Sequence, residues 1–173
     1  MKKSSINPMP NFFDRYIHLV DKNNLFEALD QSLIALENMD MATLSKIGQK
    51  TYQAGKWTIN DIIQHITDNE RIQSYRAMRI ARNDTTPLPG YEENLFAQNA
   101  HANKRKLVDL IDELRVLRKS TIQLFRSFDE SVYNNSGICF NQTVTVTALG
   151  FVIVGHQIHH LKVIEERYIP LIG

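Results

Sequence analysis

The stretch Gly150–Arg167, GFVIVGHQIHHLKVIEER, decides how the chain is read. At 3.6 residues per turn, His156 and His160 lie about 40° apart on one helical face, one turn above the other. Leu149, Val152, Ile153, Val163 and Ile164 flank them with apolar side chains. Two imidazoles stacked in an apolar stripe are either buried hydrogen-bonding groups or two ligands of a metal. A metal site needs a third donor, and His65 is the candidate. His159 competes with His160, since residues three apart also share a side, but it turns about 60° from His156 in the opposite sense. The pair His156 and His160 is therefore preferred.

Working back from this helix, three more long amphipathic stretches emerge. Leu25, Leu29, Ser32, Leu33 and Leu36 recur at three and four residues, which predicts a helix over 24–39. Thr58 is an N-cap, Asp61 can close a capping box with it, and Trp57 and Ile62 form a hydrophobic staple; these start a helix over 59–82. Its positions Ile62, His65, Asn69, Ile72 and Arg76 share one broad face, so His65 points inward. Leu107, Leu110, Ile111, Leu114, Leu117, Ile122, Leu124, Phe125 and Phe128 predict a helix over 104–128. The last runs over 147–167, with Thr145 or Thr147 as cap and Pro170 beyond its end.

The segments between are connectors. Residues 1–10 read as a loose N-terminal segment, and 11–20 as a short docking turn or helix. Residues 40–56 read as a linker with one helical turn, 83–91 as a Pro- and Gly-marked loop, and 92–102 as a short helical stretch. Residues 129–142 read as a polar connector, with 143–146 as a short extended piece. Four amphipathic helices make an all-α four-helix bundle in a single domain over 1–173.

The formal charge of +1 gives no electrostatic case for nucleic acid or an anionic membrane. One cysteine, Cys139, allows no intrachain disulfide and no CxxC zinc motif. There is no apolar run of signal-peptide or membrane-span length, so a cytoplasmic protein is the default expectation. If the three histidines converge, neutral imidazoles suit zinc, nickel, copper or ferrous iron, and three protein ligands leave a position open for water or substrate. Asp61, one turn before His65, is either its outer partner or only a cap. Asp68 and Glu70, just after His65, are either a base or outer partner for the site or, as is commoner, helix-surface carboxylates. Arg76 either meets an anionic substrate at the bundle mouth or, with Arg79 and Arg82, complements the helix dipole. His18 and His101 read as surface residues, and Cys139 as incidental.

Three motifs, in this order, resemble a known family. Trp57–Glu70 (WTINDIIQHITDNE) is similar to the start of its second helix. Tyr75–Arg82 followed by Pro87–Tyr91 resembles that helix's end and loop. Gly155–His160 followed by Ile164–Tyr168 resembles its final helix. The family is the DinB-like one, of DinB/YfiT type, and the likeness covers about residues 13–168. The resemblance implies an up-down-down-up four-helix bundle, with a divalent metal, nickel or zinc, on His65, His156 and His160, and frequent homodimers. It further implies an enzyme acting on a small-molecule substrate, as a thiol-dependent S-transferase using a low-molecular-weight thiol or as a metal-dependent hydrolase. The alternative is a non-catalytic stress-response bundle that binds a metal or small ligand; a metal-free bundle with structural histidines is the third reading.

Overall fold

In the computed structural model, which describes residues 1–173, each predicted long helix forms. The helices are α1 (Asp14–Ile17), α2 (Leu25–Glu37), α3 (Met41–Ile47), α4 (Ile59–Ala81), α5 (Glu93–Ala100), α6 (Leu107–Arg126) and α7 (Val146–Val163). The local signals act as the sequence suggests. Thr58 and Asp61 form a complete capping box on α4. Asn24 accepts from Phe26 and Glu27 at the start of α2, and Thr145 accepts from Ala148 at the start of α7. Past Val163 the last helix widens into a π turn, Ile164–Tyr168.

Side-chain contacts between the four long helices fix their directions. Asp30 pairs with Arg126, while Arg115 reaches the Leu36 carbonyl, so α2 and α6 are antiparallel. Asn60 donates to the Arg105 carbonyl, Glu70 pairs with Arg118, and Ser74 meets Thr121, so α4 and α6 are parallel. Leu25 packs on Gly150, and Gln157 donates to the Ser32 carbonyl, so α2 and α7 are parallel. The order is up-down-down-up, as the resemblance implies. Two parallel neighbours require a crossover. Residues 82–106, carrying α5, return the chain along the bundle, and Asn103 ties their end to Asp61 and Thr58.

The interior holds two apolar clusters. One gathers α1, the start of α2, the end of α4 and the first half of α7 around Ile17, Leu25, Leu29, Phe125 and Phe151. The other gathers the opposite end around Leu36, Ile59, Ile63, Leu114, Ile164 and Tyr168. Between them lies a buried polar layer of Ser32, Glu70, Arg118 and Gln157.

Three local readings need correction. The N-terminal residues are tied down: Leu25 N–H donates to the Met1 carbonyl, Lys3 N–H to that of Asn23, and Ile6 is buried. Residues 41–47 form a full short helix, which Asp40 caps through the Thr43 N–H. The polar connector before α7 holds a strand, β1 (Ser136–Cys139), paired antiparallel with β2 (Gln142–Thr145), Cys139 opposite Gln142. Its two-residue turn places Phe140 and Asn141 at φ 51° and 59°. Such a turn favours Asn-Gly, so Phe-Asn carried no hairpin signal. Cys139 is fully buried in β1.

Gly155 sets how closely α1 lies on α7. A Cβ there would fall 1.9 Å from the Tyr16 carbonyl oxygen and 2.5 Å from its carbon, both backbone atoms. Gly155→Ala should therefore push α1 off the bundle. Overpacking of this kind costs about 1–3 kcal/mol or more, against a helix-propensity gain of at most ~1 kcal/mol. Urea unfolding should show a net loss of stability, with an unchanged m-value.

Candidate metal centre

His65 enters from the second turn of α4, and His156 and His160 from the upper half of α7. His65 and His156 are 4% and 2% exposed, while His160, nearer solvent, is partly exposed. One ring nitrogen from each lies within 4.8 Å of the other two. The Nε2 atoms of His65 and His156 are 3.0 Å apart, and those of His160 and His156 3.2 Å. The structure thus brings together the three residues singled out from sequence. His159 is exposed and sits beside Tyr16 instead, with ring centroids 5.6 Å apart.

Aromatic neighbours hold the rings. Trp57 packs on His65 at 4.7 Å between centroids and stacks on His160 at 6.4 Å. Tyr16 meets His156 edge-on at 5.1 Å. Burial disfavours the charged imidazole. It pushes His65 down to about 4, with His159 adding to it, and His160 down to about 2, with His65, His159 and Arg15 adding to it. His156, the most deeply buried, is pushed well below the ordinary value by burial first and by His160 and His65 next.

The donor set fits a cation. A neutral imidazole nitrogen carries either one hydrogen or one lone pair, so it makes one hydrogen bond. His156 Nε2 faces two other Nε2 atoms, and both contacts cannot be hydrogen bonds. A divalent ion accepting all three lone pairs removes that conflict. Zinc–nitrogen bonds of about 2.0–2.1 Å in a tetrahedron put the nitrogens roughly 3.3 Å apart, close to the spacings seen.

Beside His156 opens a cleft of about 70 Å³. Val152, Asn69, Gln73 and Arg76 form one part of its lining, and the rings of Phe12, Phe13, Tyr16, Tyr91 and Phe140 another. Phe12 and Phe140 touch, with centroids 5.5 Å apart, and both hold positive φ, 70° and 51°. Left-handed backbone at a bulky residue is costly, so two strained aromatics meet where the cleft is walled.

For the other residues singled out, the structure decides between two readings or overturns the one given. Asp61 accepts from Thr58 and Asn103 and from no histidine, so it acts as a cap. Glu70 is not on the surface: it is 2% exposed and paired in bidentate fashion with fully buried Arg118, both bonds 2.9 Å. Arg76 is buried and lines the cleft, so of its two readings the helix-dipole one falls away. Tyr16, Gln73, Tyr91 and Phe140 were not singled out. Only Gln73 had a local signal, lying one turn from Asn69 and Arg76; the others arrive from loops and α1.

Comparison with known proteins places this arrangement. The DinB superfamily model matches residues 25–164. The chain belongs to the DinB superfamily. A protein of Oceanobacillus iheyensis, named as an inferred metal-dependent hydrolase, is 26% identical over 125 residues, 67% of each chain. YfiT from Bacillus subtilis, described as a metal-dependent hydrolase by inference with an unusual four-helix bundle topology, superposes with a TM-score of 0.66. That match is 18% identical and covers 89% of this chain and 84% of YfiT, so it establishes the shared bundle. No helix of this DinB-superfamily chain is long and apolar enough to cross a membrane.

The buried imidazoles link stability to pH. Their folded-state pKa values are depressed, so the unfolded chain binds protons that the folded chain refuses. Their stabilisation is fully present above the unfolded value of 6.5 and is lost as pH falls toward about 4 for His65. Metal-free protein should lose on the order of 2 kcal/mol through His65 alone between pH 7.5 and 5. Denaturant titrations at the two pH values check this, with His65→Ala expected to shrink the difference by about that amount while His156 and His160 keep the remainder.

Proposed function

We propose that the chain is a divalent-metal-dependent enzyme acting on a small molecule, with His65, His156 and His160 as its metal ligands and hydrolysis as its reaction. The observation that carries this reading is the convergence of three neutral imidazole nitrogens, beside a cleft, in a contact set that hydrogen bonding alone cannot satisfy. The hydrolase names of the relatives support it. Imidazole ligation suits zinc or nickel.

When bound, a divalent ion supplies Lewis-acid polarisation and a nucleophile at neutral pH. The chain's own residues do the rest. Burial keeps the three rings neutral and able to donate lone pairs at pH 7. Trp57 and Tyr16 fix the ring planes. The aromatic wall of the cleft excludes water from one side of a substrate, and Asn69, hydrogen-bonded to the Tyr91 hydroxyl, presents polar groups on the other. The same open side next to His156 would accept a thiolate, which makes thiol-dependent S-transfer the second reading.

Protein purified without a nickel column should carry about one divalent metal per chain by elemental mass spectrometry. His65→Ala and His156→Ala should lose it while keeping helical circular dichroism, and His159→Ala should retain it. Metal retained in His65→Ala would sink the three-histidine assignment. A panel of esters and amides, run beside glutathione or bacillithiol with an electrophile, then separates the reactions. Turnover that stops on chelation and returns with zinc or nickel identifies which one operates; stoichiometric metal without turnover in either panel would point to a non-catalytic metal-binding bundle.

A further inference from the structure

The protein buries two arginines, and only one has an acid. Arg118, 0% exposed, shares Glu70 through two hydrogen bonds and reaches Ser32 with a third. Arg76, 3% exposed, is paired with no carboxylate. It donates once to the Gln73 side-chain oxygen and once to the Pro89 carbonyl. A guanidinium has five N–H groups, so three of Arg76's remain. The ionisable groups facing it, Cys139 and Tyr91, are both held neutral by burial. Nearby, the buried Asn69 leaves its side-chain oxygen without a partner. Arg76 and Asn69 both line the cleft that runs to His156.

A buried cation without a counter-charge is costly, because desolvation is not offset by any ion pair. The fold retains this one beside the candidate metal centre. We propose that Arg76 is the substrate-anchoring residue and that the substrate class is a carboxylate: a small acid, or a thiol co-substrate bearing one. Its carboxylate takes the free guanidinium N–H groups while its reacting atom lies toward His156. The planar fork matches carboxylate geometry. A phosphate dianion fits less well, because Arg76 is the single cation of the cleft lining and Glu93 stands at the exposed rim. The aromatic wall favours an apolar or aromatic body on the acid. This assignment rests on the metal-site reading for its chemistry, but its binding step does not need the metal.

The test uses full-length protein, metal-free and zinc-loaded, titrated calorimetrically with benzoate and propionate, their neutral isosteres benzamide and propionamide, and inorganic phosphate. The metal-free arm keeps carboxylate–metal contacts from imitating the anchor. The carboxylates should bind at least tenfold tighter than the amides, and tighter than phosphate, in both forms. Arg76→Gln should remove that preference while leaving zinc binding intact and Tm equal to or above wild type, since an unpaired buried charge is gone. Arg76→Lys, which keeps the charge and loses the fork, should keep part of the preference. Acids and amides binding alike to wild type would overturn the anchor whatever the variants do, as would a full carboxylate preference in Arg76→Gln; phosphate binding more tightly would overturn the substrate class. Intact zinc binding without carboxylate preference removes only this inference. Carboxylate preference without zinc binding removes only the metal-site reading.

Discussion

The bundle is built around the polar layer in which all four long helices meet. Arg118 from α6 grips Glu70 of α4 with two parallel hydrogen bonds and Ser32 of α2 with another; Gln157 of α7 closes the ring on the Ser32 carbonyl. The layer separates the two apolar clusters. A buried ion pair adds little net stability over a well-packed apolar pair, yet losing one partner costs about 3–5 kcal/mol. Its consequence is therefore register. Apolar ridges tolerate a one-turn slip between neighbours, but the Arg118–Glu70 fork does not, because a slip of about 5.4 Å would strand both charges. That matters most where neighbours run parallel, as α4 with α6 and α2 with α7, since no short turn fixes their alignment.

Register on α4 and α7 is also what assembles the histidines. Glu70 is five residues from His65, and Gln157 directly follows His156. Fixing the polar layer fixes the height of both ligand-bearing turns, so that Nε2 atoms from two helices arrive 3.0 Å apart. The cleft is then completed from outside the bundle. Gly155 lets the α1 backbone lie against α7, which puts Tyr16 on His156 and Phe12 and Phe13 on the cleft wall. The hairpin turn contributes Phe140 from the other side.

Much of this was legible in the sequence, and the gaps have physical causes. The four helices follow from apolar spacing and caps, because each buries a continuous stripe. The His156/His160 face follows from helical geometry alone, whereas its meeting with His65 was carried by the family resemblance, since spacing within one helix says nothing about another. Glu70 was misread because charge was taken as exposure, and its partner Arg118 was not singled out at all. Their positions argued otherwise: Ile63, Ile66, Glu70, Gln73 and Ala77 form one stripe, and Ile111, Leu114, Arg118, Thr121 and Phe125 another, each all buried. A charge interrupting an apolar stripe on each of two helices is the sequence signature of a buried pair. The tied N-terminus and the Phe140 turn had no such signature, because main-chain hydrogen bonds and strained φ values leave no periodic trace.

The same comparison of stripes explains why Arg76 differs from Arg118 in kind. Arg118 faces the interior, where another helix supplies its acid, and the pair is complete within the chain. Arg76 lies on the adjacent face of α4, with His65 and Asn69, where the facing elements are α1, the Pro89 loop and the hairpin. None of these brings a carboxylate to it, and Tyr91 and Cys139 bring only neutral groups. A sequence selected for packing alone would place a methionine or leucine there, at lower desolvation cost. The protein thus holds two buried guanidinium groups, one satisfied by the fold and one left with donors facing the cleft beside the histidines. The first aligns the bundle; the second is where chemistry from outside the chain has something to bind.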